Sequence, residues 1–187
     1  MEKQISIPLN EVEIIDLKTG DRVLLNGVIY TARDAAHQRL MEYLDEGKEL
    51  PIPIKNQIIY YVGPSPTPPG QIIGSAGPTS SYRMDAFTPR LLDLGLKGII
   101  GKGSRNDLVC ESIIKNQAIY FAAVGGIAAL LAKTIKKSEI VAFEDLGTES
   151  IRKLEVKDMP LTVIIDSYGN NLYEQGPQNY LNSIQKK

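Results

Sequence analysis

Two stretches of this sequence concentrate groups able to bind or react with a small anion. The first runs from Gly74 to Pro89, as Gly-Ser-Ala-Gly-Pro-Thr-Ser-Ser-Tyr-Arg-Met-Asp-Ala-Phe-Thr-Pro. It holds several hydroxyls, one arginine and one acid, and almost nothing for a core. Set between a strongly apolar stretch and a helix-like one, it reads as a site or a turn. The second, Gly101-Lys102-Gly103-Ser104-Arg105-Asn106, places a lysine between two glycines. Glycine lets a ligand approach the backbone, and a lysine there has little structural reason. A third cation, Arg33, opens a helix-like segment with His37 four residues on, on the same face. An arginine in a first helical turn opposes the macrodipole. It is either a surface residue or one that faces an anion together with the helix N-terminus.

Arginine and lysine together suit a dicarboxylate, because guanidinium gives a planar two-point grip and ammonium a point charge. Phosphate is the rival ligand. However, the first stretch lacks the Gly-Lys-Ser/Thr ending of a P-loop, and the second lacks GxGxxG. Arg83, beside Met84 and Asp85, is either a ligand group or a salt-bridge strut for its loop. Thr79 is a turn or cap residue, or a base. The second role requires nearby cations to stabilise its alkoxide and water to be excluded, and Arg83 could supply such a charge. His37, the only imidazole, is a general base or a structural hydrogen-bonding residue. Cys110 falls in a helix-like segment and reads as core rather than as a nucleophile. One cysteine and one histidine cannot build a zinc site or hold an iron–sulfur cluster within this chain. No metal ligand is therefore assigned to it.

The rest of the chain must position these groups. Its 187 residues, 43% hydrophobic and 23% charged, suit one soluble domain spanning 1–187. A net charge of −1 recruits neither nucleic acid nor an anionic membrane. Lys133, Lys136 and Lys137 read as a solvated helix end. No signal peptide or membrane span is expected, and the single cysteine suggests a reducing compartment, hence a cytoplasmic protein.

Gln4 to Leu9 alternates as a strand, and Asn10 with Glu13 forms a capping box for a helix over Glu11 to Leu17. Asn26-Gly27 suggests a hairpin turn inside Arg22 to Tyr30. A helix follows from Ala32 to Leu44, and Gln57 to Val62 is a strand covered on both faces. Gly63 to Gly70 is a rigid proline-rich loop. Thr88-Pro89 resembles a helix cap, Lys97 to Ile100 a strand, and Asn106 or Asp107 the cap of a helix through Ile114. Ala118 to Val124 is a strand, Gly125-Gly126 a turn and Ile127 to Ile135 a helix. Repeated strand, glycine turn and helix make an α/β protein of β-α-β units, with ligands expected beyond the carboxyl ends of the strands. Arg33 and both polar loops fall at such ends. Ser150 to Val156 and Leu161 to Ile165 are two strands of an antiparallel annex, so the sheet is mixed, and the Asn- and Gln-rich tail frays.

Several segments resemble, in order and spacing over nearly the whole chain, the C-terminal domain of class I fumarases. They are Ile29 to His37, Gly77-Pro78-Thr79-Ser80 with Arg83-Met84-Asp85, Gly101-Lys102-Gly103, and Val124-Gly125-Gly126 with Ala128-Ala129. Glu144 to Gly147 and Glu155-Val156 also match. They equally resemble the β subunit of two-chain iron–sulfur hydro-lyases (fumarase and L-tartrate dehydratase). The resemblance implies a swivelling three-layer β/β/α domain. It implies that Arg33, Arg83 and Lys102 bind substrate carboxylates, that Thr79 is the base, and that His37 and Asp85 support them. It further implies a partner α subunit that binds a 4Fe-4S cluster through three cysteines, in agreement with the single Cys110. The expected assembly is a hetero-oligomer active only with both chains, or a homodimer of this chain when isolated. Fumarate hydration to malate is the expected reaction, with L-tartrate dehydration as the alternative. A reading of another class is a non-catalytic acid-binding or regulatory domain.

Overall fold

Short apolar runs separated by glycine turns become the parallel strands of one mixed sheet. The computed structural model describes residues 2–123 and 126–185. The chain begins with β1 (Glu2–Ser6) and α1 (Glu11–Asp16), whose N-terminus carries the Asn10/Glu13 capping box. β2 (Arg22–Thr31), α2 (Asp34–Asp45), β3 (Ile58–Tyr60), α3 (Thr88–Asp93), β4 (Gly98–Gly101), α4 (Asp107–Lys115) and β5 (Ile119–Ala122) follow. In this run β1–β2, β2–β3, β3–β4 and β4–β5 pair in parallel. Then come α5 (Ala128–Thr134), β6 (Ile135–Ala142), β7 (Ile151–Ile165) and α6 (Leu172–Gln185). β7 pairs antiparallel with β5, β6 and β2. Since β2 also pairs with β3, the ladder β2-β3-β4-β5-β7 returns to β2 and closes on itself.

Alternation along the strands divides the interior into two cores. Ile58, Tyr60, Ile100, Ile119 and Phe121 face Val23, Leu25, Leu154, Met159 and Leu161 of β2 and β7. Ile59, Tyr61, Ile99 and Tyr120 face the opposite way, onto Ala36 and Leu40 of α2, Leu91 and Leu92 of α3 and Val109 and Ile113 of α4. The parallel sheet is thus buried on both faces, as β-α-β crossovers require. The α/β class with a mixed sheet holds, and the two cores separate strand, strand and helix layers.

Local expectations need five corrections. Asn26-Gly27 is not a hairpin turn: β2 runs straight through it, and the shift against β7 between Leu25 and Gly27 makes it a β-bulge. Thr88 does not cap α3. Its hydroxyl donates to the Met84 carbonyl oxygen, and Phe87 is the flanking residue. Ile151 to Ile165 is one strand rather than two. Lys136 and Lys137 lie in β6, which among the described residues pairs only with β7. Exposed lysines suit a sheet edge, where they discourage pairing with other chains, and Lys137 Nζ meets Glu155 across the ladder at 3.2 Å. The tail is helical to Gln185 despite Pro177. Val124 and Gly125, part of the expected strand and turn, lie outside the described residues.

Candidate active site

The exits of β2, β3 and β4 lie side by side, and each delivers one of the expected groups. Arg33 follows β2 and occupies the cap position of α2, with no side-chain cap bond. Its guanidinium lies against Gly63, beyond β3. A Cβ at that position would sit 2.8 Å from Arg33 Nη1, so a bare backbone is what permits the approach. Beside Arg33 and the α2 N-terminus lies the chain's own Glu149. Its carboxylate accepts from Ala35 N–H at 2.8 Å and lies 3.3 Å from Arg33 Nη2.

Beyond β3, the loop through Thr79 is held at three points. Tyr60 donates its hydroxyl proton to the Ala76 carbonyl oxygen at 2.5 Å. Thr79 N–H donates to the Tyr61 carbonyl oxygen at 2.7 Å. Ser80 forms a parallel bridge with Lys102, and Ser81 N–H donates to the Lys102 carbonyl oxygen at 2.9 Å. Lys102 N–H returns a bond to Ser81 Oγ at 3.1 Å. Gly101 makes this crossing possible, since a Cβ there would stand 1.9 Å from Ser81 Oγ. The Tyr120 hydroxyl sits 2.9 Å from Ser81 Oγ and 2.8 Å from the Gly103 carbonyl oxygen. The Thr79 backbone and Lys102 are therefore neighbours by construction. The Thr79 hydroxyl and the exposed Lys102 ammonium make no hydrogen bond or ion pair among the described residues.

Arg83 lies in a 3-10 turn, Ser81–Met84. It donates from Nε and Nη2 to the two oxygens of Asp34, at 2.7 and 2.6 Å. This is the strut geometry, reached across 49 residues of sequence. Arg33 Nε lies 3.6 Å from the same carboxylate. Burial alone would raise the Asp34 carboxyl. Hydrogen bonds from its own backbone N–H and from Arg83, with both arginine charges, hold it below the usual carboxylate range.

Two expected supporting residues are buried away from solvent. Asp85 accepts from Arg105 Nε at 2.6 Å and from Asn106 N–H at 2.8 Å. The Arg105 side chain is fully buried between the Tyr61 and Tyr120 rings and also donates to Thr88 Oγ1 at 2.7 Å. His37 is 0% exposed, edge-on to Tyr61 and stacked on Phe87. Its Nδ1 is 2.9 Å from the Arg33 carbonyl oxygen. A carbonyl only accepts, so Nδ1 carries the proton and Nε2 is bare. Burial lowers the His37 pKa to about 4, against the opposing pull of that hydrogen bond. Of its two possible roles, the packing favours the structural one.

Sequence reasoning passed over Asp34, Arg105 and Glu149. Asp34 and Arg105 stood next to or near the chosen cations. Glu149 carried no local signal, because its role depends on the approach of the segment before β7. A separate cleft of about 610 Å³ between the Ser65–Ser75 loop and the α5–β6 corner contains none of the expected site residues. Cys110 is a half-buried free thiol on α4, and burial raises its pKa. Among the described residues no group of three or more His, Cys, Asp or Glu side chains could hold a metal ion.

The fold is a mixed α/β domain with cations and hydroxyls at parallel strand ends. The chain belongs to the Fumarase C-terminus family, whose model matches residues 2–176. It is 40% identical over 172 residues to an anaerobic class I fumarate hydratase of Escherichia coli, covering 90% of this chain and 31% of that protein. It is 38% identical over 172 residues to fumarate hydratase 2 of Leishmania major, covering 90% and 30%. The chain thus spans about a third of the length of these fumarases. A Methanocaldococcus jannaschii protein, named as a putative L(+)-tartrate dehydratase β subunit, is 38% identical over 173 residues, with 89% of each chain covered. The relatives are hydro-lyases by name, and none of the described helices is long and apolar enough to cross a membrane.

Proposed function

We propose that this chain is the β component of an iron–sulfur-dependent hydro-lyase that interconverts fumarate and malate in the cytoplasm. The observation that supports the reading is that Arg33, the Thr79–Arg83 loop and Lys102 follow three adjacent strands, with Asp34 between the two arginines and Ser80 bridged to Lys102. Arg33, Arg83 and Lys102 bind the two substrate carboxylates. In the dehydrating direction Thr79, as the alkoxide, takes the proton from the carbon next to one carboxylate; the C–H electron pair becomes the double bond, and the neighbouring C–O bond breaks to release hydroxide, for which the partner chain would supply the acceptor. Charge building on the activated carboxylate is what the cations stabilise. Asp85 and His37 support these groups, Asp85 through Arg105 and His37 through the Arg33 backbone.

The 4Fe-4S cluster that the resemblance implies does not fit this chain. The sequence has one cysteine, and it is the half-buried Cys110 on a helix. The reading therefore assigns the cluster to a cysteine-containing α partner. That one relative is named as a putative tartrate dehydratase β subunit favours this two-chain organisation, and makes tartrate the second substrate to try. The test is anaerobic mixing of the chain with its cluster-bearing partner, assayed with fumarate, malate and tartrate. Fumarate hydration is expected only with both chains. Full activity from this chain alone overturns the two-chain reading, and turnover confined to tartrate overturns the choice of substrate.

A further inference from the structure

Arg33 and Arg83 are 50 positions apart in sequence and leave different strand exits, yet one carboxylate stands between them. Asp34 takes the Nε and Nη2 edge of Arg83 and lies 3.6 Å from Arg33 Nε. From this geometry we propose that Asp34 is the positioning residue that sets the two arginines as one dicarboxylate-binding unit. The proposal rests on the reading of Arg33 and Arg83 as substrate-binding groups.

The chemistry of guanidinium supports it. Arginine has five N–H donors, and its side edge offers Nε–H with one Nη2 hydrogen. Asp34 uses that edge and no other. The end-on edge, Nη1 with the second Nη2 hydrogen, keeps its capacity for a second two-point carboxylate grip. A carboxylate on the side edge also removes rotation about the last side-chain bonds of Arg83, so the free edge has one direction. The two arginines are held differently. Arg83 is hydrogen-bonded to Asp34 at 2.6 and 2.7 Å, whereas Arg33 faces Asp34 through charge alone at 3.6 Å and lies nearer Glu149, at 3.3 Å.

The placement of Asp34 suits a fixed anion. It is the first residue of the 12-residue helix α2, where the macrodipole favours negative charge. Its ionisation is held at neutral pH by its hydrogen bonds and by the two arginine charges. Two guanidinium groups converging on a small area repel each other, and an acid between them offsets that repulsion without occupying the end-on edge of Arg83; Arg33 Nη2 also faces Glu149. Stability alone does not account for the arrangement. The Asp34 and Arg83 side chains are 33% and 39% exposed, and exposed ion pairs contribute little to folding.

The test uses Asp34→Asn, which keeps the size of the side chain and removes its charge. Two readouts are taken on the full chain. The first is the nitrogen-resolved spectrum of arginine Nε–H groups, recorded without a partner. Wild type should show a sharp, slowly exchanging Arg83 signal. In Asp34→Asn that signal should move and broaden, and the Arg33 signal should shift with it. The second is kinetics with the cluster-bearing partner. KM for the dicarboxylate turned over should rise about tenfold or more, with kcat within about threefold, as for a lost charged hydrogen bond that acts in binding. Unmoved signals from both arginines, a shift of Arg83 alone, or an unchanged KM would each overturn the proposal. If the wild-type pair turns over no dicarboxylate, the carboxylate-site reading fails, and the arginine spectra still decide whether Asp34 orders both side chains. Asp34→Glu guards against a folding defect, since it keeps the charge in the first helical turn but lengthens the side chain. It should give the same arginine shifts with an unchanged melting temperature, and native arginine signals in it would count against a positional role.

Discussion

At the scale of single residues, the exposed cations and the buried histidine separate cleanly. Thr79 is half-buried, its backbone fixed by Tyr61 and its hydroxyl unspent among the described residues. If it is the base, Thr79→Ala should lower kcat of the proposed two-chain enzyme by roughly 10²- to 10⁴-fold and leave KM within a few-fold. An equal rise in KM without loss of kcat would make it a binding residue instead. His37 makes a prediction about stability. Its folded pKa is about 4, below the usual 6.5. Between these values the unfolded chain binds a proton that the folded chain refuses. Stability is therefore complete above about pH 6.5 and falls as pH drops to about 4, by roughly 3 kcal/mol in all. Denaturant melts at stepped pH should show this slope, and His37→Gln should flatten it.

At the scale of elements, the buried Asp85–Arg105 pair ties the 3-10 turn of Arg83 to the β4–α4 loop of Lys102. Removing one partner leaves the other charge desolvated. Asp85→Ala should cost roughly 3–5 kcal/mol, read as a lower melting temperature, and the pairwise part can be isolated with Arg105→Met in a double-mutant cycle. This pair also shows where sequence reading stops. Arg105 shares the glycine-rich loop with Lys102, but only the chain's path makes it internal and Lys102 external. The same holds for Lys136 and Lys137. Local charge matched a helix end, whereas the long-range ladder to β7 made them an edge strand. Asn26-Gly27 has the composition of a hairpin turn, but pairing to β1 on one side and β7 on the other keeps β2 extended. The Asn10 and Asn106 caps and the strand cores were legible because their causes are local: a side chain three residues from a free N–H, or an unbroken apolar run.

At the scale of the whole molecule, β7 decides the architecture. It pairs with both ends of the parallel ladder β2-β3-β4-β5 and closes the inner core, in which Phe121 is fully buried. Phe121→Ala should cost roughly 3–5 kcal/mol by opening a cavity in that core, and urea unfolding would measure it. The sequence by itself determined the α/β order, the family and the three loops of the candidate site, because apolar period, glycine turns and motif spacing are properties of neighbours along the chain. It also determined that one cysteine cannot hold a cluster. Only the tertiary structure decided which cations share a partner, which acid fills the α2 N-terminus and that the imidazole is sealed from solvent. Those outcomes depend on contacts such as Arg83 with Asp34 and Ala35 with Glu149, across 49 and 114 residues. Pairing energies at such separations are set by how the layers stack, and no local pattern encodes that.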